Sequence, residues 1–331
     1  MGYKIAVLGA TGAVGQEMLK GLGEYDIPVD EILPLGSARS AGKKVLFRGK
    51  EIEVRAADEN SFAGMDFVLG AVEGDMSRKF APAIKASGAV YIDNSSAFRL
   101  EKDVPLVVPE INGEDAFYNC GIIANPNCCT IIALMAVAGI EKLSRIEKMV
   151  VCTYQAVSGA GQAGIAELEA QMDAISKGAQ PEVKTFAAQI ALNVIPFIDA
   201  PYGNDYSKEE MKMQNEGRRI LHDPELKVNC TCVRVPVMRS HSIAITLRTE
   251  NKISIEQAKE AIKNFPGVYL VEDYKGRSYP TPLDTSNQDL VWVGRIREDL
   301  TDDNGITLWC CGDQIRKGAA ANAVQILMKM I

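Results

Sequence analysis

Lys4-Ile5-Ala6-Val7-Leu8, running directly into Gly9-Ala10-Thr11-Gly12-Ala13-Val14-Gly15, is the stretch that decides the fold of this chain. An apolar run enters a glycine-rich turn and then an amphipathic stretch, which is the order strand, tight turn, helix. Glycines permit the turn and a close backbone approach, while the free N–H groups and dipole of a helix start suit a pyrophosphate. The spacing G-x-x-G-x-x-G is one residue longer than the commonest dinucleotide pattern, so the strand before and the helix after carry the reading. A glycine turn that only supports close packing is the competing explanation.

Outward from this turn, strands are expected near 31–35, 65–72, 90–93 and 122–124, with helical stretches after Gly12, near 77–87 and beside Glu114. Strands alternating with helices imply an α/β fold with a mainly parallel, doubly wound sheet. The second half changes character. Its β-rich runs at 149–154, 228–237, 242–249 and 290–296 suggest an α+β domain with a mixed or antiparallel sheet. At the end, Ile315, Ala319, Ala323, Ile326, Leu327 and Met330 fall at helical spacing across 313–330, a helix suited to packing back on the first domain.

The composition limits what such a chain can do. With 331 residues, 47% hydrophobic and 24% charged, it is long enough for about two globular domains and is not a disordered composition. A net charge of −7 argues against a general nucleic-acid surface. No apolar run reaches the roughly 18–20 residues of a membrane span, and the amino terminus reads as a strand without a signal-peptide cleavage pattern. The eight cysteines include two adjacent pairs and show no disulfide framework, so a cytoplasmic, reduced chain is expected. Two histidines cannot fill a multi-histidine site, and Cys230 with Cys232 lacks a second ligand pair, so no metal is expected.

Three patterns carry chemistry. Gly36-Ser37-Ala38-Arg39-Ser40 follows the second strand, where an NAD site usually has an acid; a guanidinium with hydroxyls suits a 2′-phosphate, so Arg39 favours NADP over a solvated loop arginine. Asn125-Pro126-Asn127-Cys128-Cys129-Thr130 precedes a helical run, with Asn127 at the N-cap and Cys128 in the first turn. The positive end of a helix lowers a cysteine's pKa and can stabilise an oxyanion on an attached carbonyl. Buried structural cysteines are the bland alternative, and position alone leaves Cys129 open beside Cys128. His241 can exchange a proton near neutrality, although a lone histidine is more often structural. Ser207-Lys208-Glu209-Glu210 reads as a capping box, and Glu209 and Lys212, three apart, share a helical face where an exposed ion pair is the ordinary outcome.

Taken in order, residues 9–15, Ser37 to Ser40, Asp93-Asn94-Ser95-Ser96-Ala97-Phe98-Arg99, Asn125 to Cys128, and Gln155-Ala156-Val157-Ser158-Gly159-Ala160-Gly161 resemble the aspartate-β-semialdehyde dehydrogenases along essentially the whole chain. Two of these motifs, Asp93 to Arg99 and Gln155 to Gly161, are far more specific than the glycine turn. The resemblance implies a Rossmann-like NADP-binding domain of residues 1–127 and 312–331, and a catalytic and dimerisation domain of residues 128–311. It implies Cys128 as nucleophile, His241 as acid/base and Gln155 beside them. Substrate ligands would be Arg99 and Lys212 for phosphate, Glu209 for the ammonium, with Glu210 its nearest confusable neighbour, and Arg234 for the carboxylate. The cofactor would meet Gly9, Thr11, Gly12, Ala13, Val14, Ser37, Arg39, Ser40, Ser158, Gly159 and Asn322.

The implied reaction is reductive dephosphorylation of 4-phospho-L-aspartate to L-aspartate 4-semialdehyde through a cysteine thioester, with inorganic phosphate used in reverse. Its place would be the biosynthesis of lysine, diaminopimelate, threonine and methionine, by a homodimer or dimer of dimers. Two departures stand out: Cys129 replaces the family's usual small hydroxyl residue, and Glu73 and Asp75 occupy a segment usually rich in glycine and serine. Two rivals are an N-acetylglutamyl-phosphate reductase-like sibling and a catalytically silent NADP-binding paralogue. The Glu209 amine clamp argues against the first, and retention of Cys128, Gln155 and His241 against the second.

Overall fold

The computed structural model describes residues 2–331, which divide into two compact units. One unit runs to Asn127 and is rejoined by Ala319–Ile331; the other is Cys128–Gly318.

The first unit is built on β1 (Tyr3–Leu8), β2 (Val29–Gly36), a hairpin of β3 (Lys44–Phe47) and β4 (Lys50–Glu53), then β5 (Arg55–Ala56), β6 (Phe67–Gly70), β7 (Val90–Asp93) and β8 (Ile122–Ala124). Six of these form a parallel sheet in the order β5-β2-β1-β6-β7-β8. Side chains alternate across a strand, and β1 shows why both faces must be covered. Ile5 and Val7 join a core with Met18, Leu19 and Leu22 of helix α1 (Ala13–Glu24) and with Val324 and Leu327 of the C-terminal helix Ala321–Met330. Ala6 and Leu8 join the opposite core with Phe80, Ala81 and Ile84 of α2 (Gly74–Ala86). Burying the three apolar side chains of α1 stabilises this packing by roughly 5–9 kcal/mol before chain entropy is counted. The alternation read from the sequence is therefore a doubly wound, Rossmann-like sheet.

The second unit holds β9 (Ile146–Gln155), β10 (Lys227–Arg234), β11 (His241–Thr249), β12 (Val268–Val271), β13 (Val291–Glu298) and β14 (Gly305–Gly312) in one mixed sheet ordered β10-β9-β11-β14-β13-β12. The helix Cys128–Glu141 is buried almost throughout, and it packs on this sheet with Lys208–Ile220 and Ile255–Lys263 as neighbours. Along β9 buried and accessible positions alternate, leaving Val150 and Tyr154 exposed on the other face.

Two expectations shift at their ends. The strand expected across 228–237 stops at Arg234, where Pro236 lacks an N–H for the ladder and Val237 N–H turns back to the Val235 carbonyl at 2.8 Å. The helix expected across 313–330 begins only at Ala321, after a wider turn at Arg316–Ala320. The reason is Asp313, whose carboxylate accepts the N–H groups of Ile315 and Arg316 and the Arg239 guanidinium, holding this stretch against the mixed sheet's unit. Among the described residues no helix is long and apolar enough to cross a membrane.

Candidate active site

In the first unit the glycine turn lies at the carboxyl end of β1, beside the end of β2. Gly9 has φ +90°, and a Cβ there would stand 2.3 Å from the Ala71 carbonyl oxygen; one on Gly15 would stand 2.3 Å from the Gly9 carbonyl oxygen. Gly12 is the N-cap of α1 and has no side chain with which to occupy the first-turn N–H groups of Ala13 and Val14. Thr11 Oγ1 donates to Ser40 Oγ at 3.4 Å, joining this turn to the Ser37–Ser40 turn after β2, where Ser37 and Arg39 are exposed. Uncapped helix donors, backbone with no room for a Cβ and an exposed cation are a donor set that fits a dinucleotide phosphate. Glu73 and Asp75 are exposed at the start of α2, where acidic groups complement the helix dipole.

Two residues proposed from the sequence for ligand contact have protein partners. Asn322 is fully buried and donates from Nδ2 to the Val107 carbonyl at 3.0 Å and to Asn125 Oδ1 at 2.7 Å, tying the C-terminal helix into the sheet. Arg99 donates from Nε to the Asn125 carbonyl at 2.9 Å and from Nη2 to the Asn94 carbonyl at 2.8 Å, which fixes its guanidinium on the segment leading to Cys128.

The second unit gathers the chemistry. Cys128 is the first residue of its helix and half-buried, whereas Cys129 is buried. The two sulfurs and a ring nitrogen of His241 all lie within 4.8 Å of one another. The Cys129 thiol, hydrogen-bonded to Cys128, holds the Cys128 thiol well below its ordinary value; burial opposes this, and the adjacent His241 adds to it. Cys129 is pushed the other way, chiefly by burial, so it stays a thiol when Cys128 ionises. Cys128, half-buried at the first helical position, is the more accessible of the two sulfurs.

The end of β9 organises the rest. Gln155 is buried, accepts from Thr153 Oγ1 at 3.0 Å and donates from Nε2 to Glu209 Oε1 at 3.1 Å. Ala156 N–H donates to His241 Nδ1 at 3.0 Å, and the Ala156 carbonyl accepts from Arg234 Nη1 at 2.7 Å. Burial pulls the Arg234 guanidinium below its usual value, with Glu209 resisting, but it remains a cation. The capping box Ser207–Glu210 forms as read, and it turns Glu209 and Lys212 to the same side. Lys212 Nζ lies 2.8 Å from Glu209 and 2.9 Å from Asp199. Burial alone would lower Lys212, yet these two carboxylates keep it above the ordinary lysine range. Glu210 is instead consumed by the cap and by the Cys232 N–H, so it is not available as the amine clamp.

Ser158 and Gly159 follow directly. Ser158 Oγ accepts from Gln314 Nε2, while Gln314 Oε1 accepts the Ser240 N–H at 2.8 Å. A Cβ on Gly159 would come within 2.7 Å of Arg234 Nη1 and 3.3 Å of the His241 ring. Three contributors went unread in the sequence: Ala156, Gln314 and Gly318. Gly318 abuts Cys128, since a Cβ there would stand 2.9 Å from the Cys128 Cβ. Of these only Gly318 carried a usable signal, a glycine in an otherwise helical pattern. His222 sits in a turn with φ +54°.

Comparison with known proteins gives the family of the chain. Residues 4–117 match the family described as semialdehyde dehydrogenase, NAD binding domain, and residues 137–317 match semialdehyde dehydrogenase, dimerisation domain. Aspartate-semialdehyde dehydrogenase of Aquifex aeolicus is 48% identical over 330 residues, covering 98% of this chain and 97% of that protein. The Bacillus subtilis protein of the same name is 44% identical, covering 98% and 96%. A crystal structure of aspartate semialdehyde dehydrogenase II from Vibrio cholerae, complexed with ASA, superposes with a TM-score of 0.97 at 44% identity, covering 100% of this chain and 98% of that one. With a dinucleotide-type turn, an ionisable cysteine at a helix start and relatives of this name spanning nearly its full length, the chain belongs to the aspartate-semialdehyde dehydrogenase family.

Proposed function

We propose that the chain catalyses the NADP-linked, phosphate-dependent interconversion of 4-phospho-L-aspartate and L-aspartate 4-semialdehyde through a thioester on Cys128. The observation that carries this reading is the lowered Cys128 thiol at the first position of a helix, ringed by Cys129 and His241. The Cys128 thiolate attacks the acyl carbon of the phosphorylated substrate; the carbon–sulfur bond forms and the carbon–oxygen bond to phosphate breaks, releasing phosphate. The glycine turn 9–15 with Ser37, Arg39 and Ser40 would hold NADP, whose reduced form would supply a hydride to the thioester carbon. The oxyanion then collapses, the carbon–sulfur bond breaks, and the aldehyde leaves Cys128 as thiolate, with His241 attending the charge at sulfur.

Substrate selection follows from charge. Glu209, already hydrogen-bonded through Gln155 to the strand end, would take the substrate ammonium, and Lys212 would exchange its carboxylate partners for phosphate, with Arg99 as a second phosphate ligand. Arg234 has a buried Nε with no hydrogen-bond partner among the described residues, a group suited to a substrate carboxylate. The exposed Arg39 and the hydroxyls of Ser37 and Ser40 support NADP over NAD. Sequence supports a cofactor domain of residues 1–127 and 312–331 and a catalytic domain of 128–311, while the compact units divide instead after Gly318, because Asp313 ties residues 315 and 316 to Arg239. Pairing through the accessible face of the mixed sheet would give a homodimer, an assembly that the dimerisation-domain match supports. The free cysteines suit a reducing, cytoplasmic setting.

The direct test is reduction of NADP by aspartate semialdehyde as a function of inorganic phosphate. Phosphate-dependent turnover is expected. Turnover with N-acetylglutamate semialdehyde alone, or tight NADP binding without turnover, would overturn the proposal.

A further inference from the structure

Lys212 carries one positive charge between two carboxylates. Its Nζ lies 2.8 Å from Glu209 Oε2 and 2.9 Å from Asp199 Oδ2. An ammonium has N–H donors and no acceptor, so each carboxylate takes a donor that an anionic ligand could use. The two partners are held differently. Glu209 belongs to the same helix, its side chain is 8% exposed, and its other oxygen accepts from Gln155 Nε2 at 3.1 Å. The Asp199 side chain is 37% exposed, and its other oxygen accepts from the adjacent Ala200 N–H at 2.7 Å.

Asp199 reaches Lys212 from a loop, not from the helix. Lys208 N–H donates to the Ala200 carbonyl and Tyr202 N–H to the Tyr206 carbonyl, both at 2.8 Å, so residues 200–208 turn back on the helix start and bring Asp199 with them. Its φ of +72° lies in the left-handed region, which aspartate and asparagine enter more readily than other side chains with a Cβ. The capping box closes through Ser207 and Glu210 and does not use this carboxylate.

We propose that Asp199 sets the affinity for phosphate: its carboxylate occupies Lys212 while phosphate is absent and yields it when phosphate arrives, which keeps the phosphate subsite weak and lets released phosphate depart. This rests on the assignment of Lys212 to phosphate made above and makes it more specific. Charge decides which carboxylate gives way. A substrate ammonium at Glu209 would neutralise that carboxylate, and the substrate offers no second cation for Asp199. An incoming phosphate therefore competes with Asp199 for the same donor and is repelled by it. Asp199 is also the partner already open to water, so its release costs little desolvation. Burial would lower Lys212, yet the carboxylates hold it above the ordinary lysine range, so the exchange changes its partner and not its protonation. Asp199 is thus a positioning residue that acts through Lys212.

Asparagine keeps the left-handed backbone and an acceptor for the Ala200 N–H while removing the charge, so Asp199→Asn isolates the carboxylate. Inorganic phosphate is titrated into the purified protein and followed by ³¹P line width, and KM for phosphate is measured in the semialdehyde-oxidising direction. In Asp199→Asn phosphate should bind about three- to tenfold tighter, with KM for phosphate lowered in step and KM for aspartate semialdehyde within about twofold of wild type. A tighter ligand is not what a damaged fold produces. In a Lys212→Met background the gain should vanish. Unchanged or weaker phosphate binding in Asp199→Asn, or a gain that persists without Lys212, overturns the proposal. Phosphate affinity that Lys212→Met leaves intact would refute the assignment of Lys212 and this inference with it. A Lys212-dependent site that Asp199→Asn does not tighten refutes this inference alone.

Discussion

Replacing Cys129 by alanine should move the ionisation of its neighbour. Cys129 is buried, its own thiol is held protonated chiefly by burial, and its hydrogen bond is the foremost influence lowering Cys128. Hydrogen bonds to charged groups contribute about 1.5–3 kcal/mol. A thiol is a weak donor, so the low end applies, and about 1.4 kcal/mol corresponds to roughly one pKa unit. A donor stabilises the thiolate, so removing it raises the pH at which Cys128 ionises. In Cys129→Ala the iodoacetamide reactivity of Cys128, followed by site-resolved mass spectrometry against pH, should shift its midpoint upward by about one unit, which lowers the rate roughly tenfold below the midpoint. Cys129→Ser retains a donor and should keep the midpoint within about half a unit of wild type. An unmoved midpoint in the alanine variant refutes the donor argument. An equal shift in both variants would assign the effect to lost sulfur volume instead.

Other outcomes follow from the same geometry. Cys128→Ser should lower turnover by at least about 10³-fold while leaving NADP binding and the thermal midpoint near wild type; an active variant would place the nucleophile elsewhere. Arg39→Ala should weaken NADP about 10- to 100-fold, the loss of one charge-assisted contact, with little change for NAD, and equal losses by titration would count against a 2′-phosphate contact. Gly318→Ala places a methyl 2.9 Å from the Cys128 Cβ. It should cost about 1–3 kcal/mol of stability by denaturant midpoint and slow Cys128 alkylation, whereas a neutral variant would show that the helix start yields freely.

Much of the architecture is legible in local sequence because the first unit obeys one rule repeatedly: apolar strand, turn, amphipathic helix. Even there the hairpin β3–β4 escapes notice, because Lys44 to Glu53 alternates only briefly and its turn, Arg48 at φ +49° and Gly49 at φ +76°, offers a glycine at the second position alone. β14 escapes for a different reason: the turn signals Asn304-Gly305 and Gly312-Asp313 flank it, but Ile306 to Cys311 is a short run whose partner β11 lies some sixty residues earlier. In the site, side chains with distinctive chemistry can be picked out from motif and resemblance. The groups that orient them cannot, because Ala156 acts through its backbone and Gly318 through the absence of a Cβ. The Cys129 contribution was visible only as a departure; its direction required knowing that the thiol is buried against Cys128.

The strand end at Gln155 and Ala156 has a consequence for how this enzyme can change. The Gln155 amide holds the Glu209 carboxylate, the Ala156 N–H holds His241, and the Ala156 carbonyl holds Arg234. With the roles proposed for Glu209, Arg234 and His241, two consecutive residues would anchor affinity and turnover to one point, so a backbone displacement there would not trade one for the other. Directed evolution toward a substrate lacking the amine or the carboxylate should find its useful mutations on the Glu209 and Arg234 side chains. Insertions or deletions around position 156 should be lost from selection as doubly impaired, with KM raised and kcat lowered in the same variant.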